Sequence, residues 1–196
     1  MPNAEQASSA AAGCDRRRLL TYPRPELADG LVRLRRWSEG DLDCIREAGA
    51  DPEIPNGTTV PADFTPAEGL AFIQRQWSRA TDGVGVSQAV VDVKGGRAVG
   101  LVIVSLRPQS GVGGLGYWVV PSARGAGMAT SAVQLVGRWA LSSLHLDRLE
   151  AWVDPANIAS QHVLVHAGFQ EEGRLRNFLR TKAGPSDALV FSLIPG

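Results

Sequence analysis

From residue 31 apolar and charged positions interleave, with Leu31, Leu34 and Trp37 among Arg33, Arg35 and Arg36, which predicts a first strand. The spacing then lengthens to three and four. Leu42, Ile45 and Ala48 predict one helix, opened by residues 38–41, and Leu70, Ile73 and Trp77 predict a second. Thr65-Pro66-Ala67-Glu68 caps that second helix, because the Thr hydroxyl and the Glu carboxylate each suit a free N–H and Pro66 needs none. Residues 51–61 between the two helices carry prolines and a glycine and read as loop. A period of two follows over 87–93 and 99–106, split by Lys94-Gly95-Gly96-Arg97, and predicts a hairpin. Tyr117, Trp118, Val119 and Val120 form a buried strand that Pro121 stops. Helical spacing returns from Ala129 through Val133, Val136, Ala140 and Leu144. A strand over 149–153 and a short helix capped by Asn157, with Val163, Leu164 and Ala167 inward, come next. Gly168 supplies a left-handed stop, and strands over 169–174 and 188–194 close the chain.

The predicted order is β-α-α-β-β-β-α-β-α-β-β without internal repeat. It makes one α/β domain over residues 29–196. Residues 1–28, rich in Ala, Ser and Pro and without periodicity, are expected to form a disordered or loosely packed arm.

Composition narrows the function classes. The chain has 196 residues, enough for one domain with a substantial core. Lys plus Arg and Asp plus Glu both number 20, so no basic field argues for a nucleic-acid partner. Cys14 and Cys44 fit no metal spacing, and His162 and His166, four apart, have no third ligand in register, so no metal is expected. No apolar run approaches membrane-spanning length. Arg16-Arg17-Arg18 is followed by Thr-Tyr-Pro-Arg-Pro rather than an apolar segment, so a cytoplasmic setting without membrane partners is expected.

The chemistry concentrates between strand 117–120 and the helix from Ala129. A strand, a glycine turn and a helix N-terminus form an anion cradle, in which free N–H groups and the helix dipole both favour negative charge. Arg124, Gly125, Ala126, Gly127, Met128 and Ala129 make up this turn, with Arg124 a fixed cation beside it. A triphosphate loop needs Gly-Lys-Ser/Thr, and no Lys follows Gly127. A dinucleotide fingerprint from Gly125 needs Gly or Ala at position 130, where Thr130 stands. Three antiparallel strands before the turn also depart from the βαβ alternation of that fold.

Arg124-x-x-Gly127-x-Ala129 resembles the pyrophosphate signature of the GNAT acyltransferases. Asn157-x-x-Ser160, Val163-Leu164, Gly168-Phe169, Glu172-Gly173-x-x-Arg176 and the closing Asp187-Ala188-Leu189-Val190-Phe191 resemble the ribosomal-protein N-terminal (serine/alanine) acetyltransferase subgroup. The resemblance implies a GNAT fold, with a mixed, mostly antiparallel sheet splayed near its middle and flanked by helices. It further implies an N-acetyltransferase that uses acetyl-CoA and no metal. Arg124, Gly125, Ala126, Gly127, Met128 and Ala129 would hold the pyrophosphate, and the backbone of Val119 and Val120 would pair with the pantetheine arm. The Val119 N–H would polarise the thioester carbonyl, Asn157 would fix the CoA arm, and Ser160 would protonate the leaving thiolate. Asn157 and Ser160 have a plainer reading as helix cap and first-turn residue. The acceptor would be a primary amine, either a peptide N-terminus or a weakly basic small molecule, and a homodimer is compatible with the pattern.

Two positions depart from the family. Leu164 stands where many members carry a Tyr general acid, and Gly113-Gly114 stand where the subgroup often carries a Glu. Glu53, Glu150 and Asp154 are nearby carboxylates that nothing in the sequence aims at the site. Two alternatives stay open: an acyl-CoA-binding module without turnover, and a larger acyl donor such as succinyl-CoA admitted by the two glycines.

Overall fold

A computed structural model describes residues 20–181 and 184–196. One eight-stranded sheet carries everything else. Its strands are β1 (Leu27–Ala28), β2 (Val32–Arg35), β3 (Gly85–Asp92), β4 (Ala98–Leu106), β5 (Val112–Val119), β6 (Arg148–Val153), β7 (Gln170–Thr181) and β8 (Gly184–Leu193). The spatial order is β1-β2-β3-β4-β5-β6-β8-β7, and every pairing is antiparallel except β5 with β6. The helices are α1 (Leu42–Ala50), α2 (Ile54–Gly57), α3 (Pro66–Thr81), α4 (Met128–Ser143) and α5 (Ile158–His166).

The register sorts the two faces. Residues directly opposite in neighbouring strands share a face, so Tyr117, Val102 and Gln88 lie together, as do Gly116, Ile103 and Ser87. A Cβ built on Gly113 would meet Leu146 and Leu149, which puts the odd-numbered positions of β5 on the face packed by α4. The even-numbered positions face α3 and the Trp37–Phe72 pair, whose rings meet edge to face at 5.8 Å. Trp118 joins that cluster, 6.1 Å from Trp37.

Local chemistry sets the helix ends. The Thr65 hydroxyl accepts the Glu68 N–H at 3.1 Å and Pro66 fills the first turn, as the capping motif predicts. The buried stripe of α3 is rotated from the expected one: Gly69, Phe72, Ile73, Gln76 and Ala80 are inward, while Leu70 and Trp77 flank them. Val133, Val136 and Ala140 of α4 are fully buried, as their spacing predicts.

Three segments differ from the expected pattern. The proline-bearing loop holds one turn of helix, α2, because the Asp51 carboxylate accepts the N–H groups of Glu53 and Ile54, both at 2.9 Å. The strand β7 runs on to Thr181, past a bulge where Asn177 takes φ 51° and donates its N–H to Asp187 at 2.8 Å. The expected arm lies outside the described residues as far as residue 19. Beyond it, the Leu20 N–H donates to Ala80 at 3.1 Å, and Leu20, Tyr22 and Leu27 pack on the core. Among the described residues, no helix is long and apolar enough to cross a membrane.

Candidate active site

The site begins where the sheet parts. β5 pairs with β6 only from Val112 to Gly114, against Arg148 to Glu150, whereas it pairs with β4 all the way to Val119. The Arg107 N–H donates to Val112 at 2.9 Å and the Val120 N–H donates to Val99 at 2.8 Å. Even-numbered residues of β5 therefore turn their backbone groups toward β4, and alternation turns those of Leu115, Tyr117 and Val119 into the gap. The Val119 carbonyl there accepts the Arg124 Nε–H at 3.2 Å. Val120 needs correcting against the expected pairing. Its N–H is engaged by Val99 and its carbonyl accepts the Ala123 N–H at 3.0 Å, so of the two residues only Val119 presents an N–H to the gap.

Beyond the gap, residues 121–123 make a single 3-10 turn, and Gly125 and Gly127 both adopt φ 76°. A residue with a Cβ is strained in that left-handed region, so the path of the turn requires glycine. Gly127 is the N-cap of α4 and offers no side-chain acceptor, so the first-turn amides of Met128 and Ala129 lack a side-chain cap. Arg124 donates from Nη2 to Asp51 at 2.9 Å, with the Arg half exposed and the Asp 5% exposed. Burial pushes the Asp51 carboxyl pKa up, but hydrogen bonds from Ile54 and Glu53 and the charge of Arg124 outweigh it and hold it below the usual range. Asp51 thus orients the cation.

Across the gap stands α5. The Asn157 side chain accepts the Ser160 N–H at 3.0 Å, so Asn157 is a helix cap here. The Ser160 hydroxyl lies 2.7 Å from the Tyr117 hydroxyl, and the Tyr117 O–H also reaches the Ser160 carbonyl at 3.1 Å. Burial pushes the Tyr117 pKa up to about 12, against a smaller opposing effect of Ser160, so the phenol keeps its proton at neutral pH. His166 turns its Nδ1 to the His162 carbonyl at 2.8 Å, and no three metal-ligating side chains gather among the described residues.

The other face of the same edge carries a cavity of about 290 Å³, bounded by Phe72, Gln76 and Arg79 of α3, by Arg107, and by the β5 edge from Gly114 to Trp118. The Arg107 guanidinium lies 3.6 Å over the Trp152 ring. A Cβ on Gly114 would stand 2.6 Å from its Nη2, so the glycine makes room for the arginine. Of the other candidate carboxylates, Glu53 is the exposed N-cap residue of α2, while Glu150 and Asp154 are engaged. Glu150 accepts from Arg148 at 2.7 Å, Arg148 also holds Glu172, and Asp154 accepts from Ser186 at 2.7 Å.

Residues 32–170 match the family model described as an acetyltransferase (GNAT) domain. The chain belongs to the GNAT acetyltransferase family. It is 26% identical over 164 residues to the uncharacterized N-acetyltransferase p20 of Bacillus licheniformis, covering 83% of this chain and 92% of that protein. The structure of RimJ from Mycobacterium smegmatis, in complex with CoA-disulfide, superposes with a TM-score of 0.73 at 25% identity, over 86% of this chain and 84% of that one. The ribosomal-protein-S5-alanine acetyltransferase from Vibrio fischeri superposes with a TM-score of 0.72 at 21% identity, over 86% and 96%. The GNAT fold and family expected from the motifs are those found.

As a GNAT enzyme, the chain shows what its two departures mean physically. Leu164 is fully buried, so that position builds core and presents no acid. A Cβ on Gly113 would meet Leu146 and Leu149, and the space a side chain would take at Gly114 is filled by Arg107. Sequence reading missed Tyr117, Asp51 and Arg107 as site residues. A hydroxyl inside an otherwise apolar strand, two residues before Val119 and on its face, was the available signal for Tyr117. For Arg107 and Asp51 there was none, since both act through residues distant in sequence.

Proposed function

We propose that this GNAT enzyme transfers an acetyl group from acetyl-CoA to an α-amine, at a peptide N-terminus or on a similarly weakly basic small molecule. One observation carries the reading: an unpaired backbone edge, Leu115 to Val119, runs straight into an uncapped glycine turn at the head of a helix. The edge suits an extended pantetheine arm that bonds main chain to main chain, and the turn suits a pyrophosphate. Gly125 and Gly127 leave the approach clear, since a Cβ on Gly125 would meet nothing within 4 Å and one on Gly127 only Leu31 at 3.7 Å.

In the reaction the neutral amine attacks the thioester carbonyl carbon and the N–C bond forms. Negative charge then gathers on the carbonyl oxygen, where the Val119 N–H would stabilise it. The C–S bond breaks, and the thiolate takes a proton from the Ser160 hydroxyl, which Tyr117 holds in position. Water carries off the amine's surplus proton and reprotonates Ser160. With Leu164 buried, this pair does the work that a Tyr on α5 does in other members.

The test is thiol release from acetyl-CoA across a panel of amines and N-terminal peptides, with mass spectrometry of the products. Acetylated α-amines are expected. Thiol release with none of the panel, or a strong preference for succinyl-CoA, would overturn the reading.

A further inference from the structure

The cavity on the α3 side of the β5 edge has a one-sided charge. Arg79 and Arg107 line it, and no Asp or Glu does. Among the described residues, neither arginine has a carboxylate within ion-pairing distance. The Arg107 Nε is buried without a hydrogen-bond partner. Its ring contact with Trp152 covers one face of the guanidinium and leaves the donors at its edge unmatched. Glu150, the carboxylate that favours its charge, is already bonded to Arg148, which in turn takes Glu172. A buried donor without a partner in a native fold calls for one, and a planar fork of donors matches a carboxylate.

Position separates these cations from the pyrophosphate turn. Gly114, beside Arg107, lies five residues before Val119, about 17 Å along an extended strand. The glycine turn is beyond the far end of that span. The cavity does reach Tyr117, about 10 Å from Gly114 on the same scale. Its volume of about 290 Å³ suits one or two residues of an acceptor.

We propose that the acceptor carries a carboxylate within about 10 Å of the amine that is acetylated, and that Arg107 and Arg79 bind it. This rests on the N-acetyltransferase reading of the same site. It also gives Gly114 a role: where the subgroup often has a Glu, this chain has a glycine whose space a cation occupies. Positive charge there disfavours a bound ammonium and so favours the neutral, attacking form of the amine.

The test compares C-terminally amidated tripeptides that begin with Ala and carry Asp, Asn or Lys at the second position. Turnover with acetyl-CoA and, separately, calorimetric binding to the CoA complex are measured for each. The Asp peptide is expected to exceed the Asn peptide by about ten- to a hundred-fold in kcat/KM and in affinity, the range for a hydrogen bond to a charged group. In Arg107→Gln that ratio falls toward one. Arg79→Gln, a side chain that stacks on no aromatic ring, lowers it as well and keeps the test open if Arg107→Gln does not fold. Acetylation of Asp and Asn peptides at equal rate and affinity would overturn the carboxylate while leaving the transfer reading intact. Preferential binding of the Asp peptide without acetylation would support the carboxylate and remove the transfer reading.

Discussion

Ser160 and Tyr117 meet from positions 43 residues apart, one on a helix and one on the strand across the gap. If Ser160 protonates the thiolate, Ser160→Ala lowers kcat by about a hundred-fold, the low end for general acid catalysis, because a thiolate is a fair leaving group. The KM for acetyl-CoA and the melting temperature stay close to wild type. Tyr117→Phe removes the partner and keeps the serine, so its loss is smaller. A rate measurement beside a thermal melt checks both, and an unchanged kcat in Ser160→Ala would reduce the residue to a helix position. Arg124 is a different case, since Asp51 already holds it at 2.9 Å. A cation shared with a buried carboxylate gives less to a second anion, so Arg124→Ala should cost about 1.5 kcal/mol, the low end for a charged hydrogen bond, or roughly ten-fold in CoA affinity by titration.

Among elements, the joint between β2 and α1 is held by a forked ion pair. Arg35 on β2 forks onto Asp41 with both bonds at 2.7 Å, and the Ser38 N–H adds a third at 2.8 Å. Burial raises the Asp41 pKa, but the bonds from Arg35 and Ser38 outweigh it and hold the carboxyl below its usual range. A depressed carboxylate stabilises the fold above its unfolded pKa of about 3.9, and that share is lost as pH falls through the folded value. Asp41→Asn is expected to destabilise by about 3 kcal/mol at neutral pH, because it strands a half-buried guanidinium. Denaturant melts taken from pH 7 into the acid range should show the wild type beginning to lose this difference below about pH 3.9 and the variant a flatter profile. The strand β7 shows an element of another kind. Its side chains are mostly exposed, so its length comes from pairing with β8 and from the Asn177–Asp187 bond across a bulge. No hydrophobic period announces such a strand.

At the scale of the whole molecule, Glu150 and Asp154 near the site are tied to other groups, and a cation stands beside Gly114. Such a site works best on amines that shed their proton unaided. An α-amine has a pKa of about 7.7–8.0 against about 10.4 for lysine, a gap of roughly 2.5 units or about 3.4 kcal/mol. On a peptide bearing both amines near pH 7, α-acetylation should dominate. The rate should rise with pH and level off near the α-amine pKa. Mass spectrometry of the product decides this, and predominant lysine acetylation would overturn the preference.

The period of apolar positions was enough to locate most strands and helices, because burying one face against a core is the strongest constraint on side-chain order. Capping at Thr65 and Asn157 and the left-handed glycines 125, 127 and 168 were equally legible, being determined within a few residues of chain. Motif spacing carried the family. Three-dimensional pairing decided the rest. The sheet parts after Gly114, Val120 is closed off by Val99 while Val119 is not, and Tyr117 meets Ser160. Arg107 fills the space beside a glycine seven residues on. Each of these depends on register between strands or on side chains far apart in sequence, and local pattern carries no record of which backbone groups remain without a neighbour.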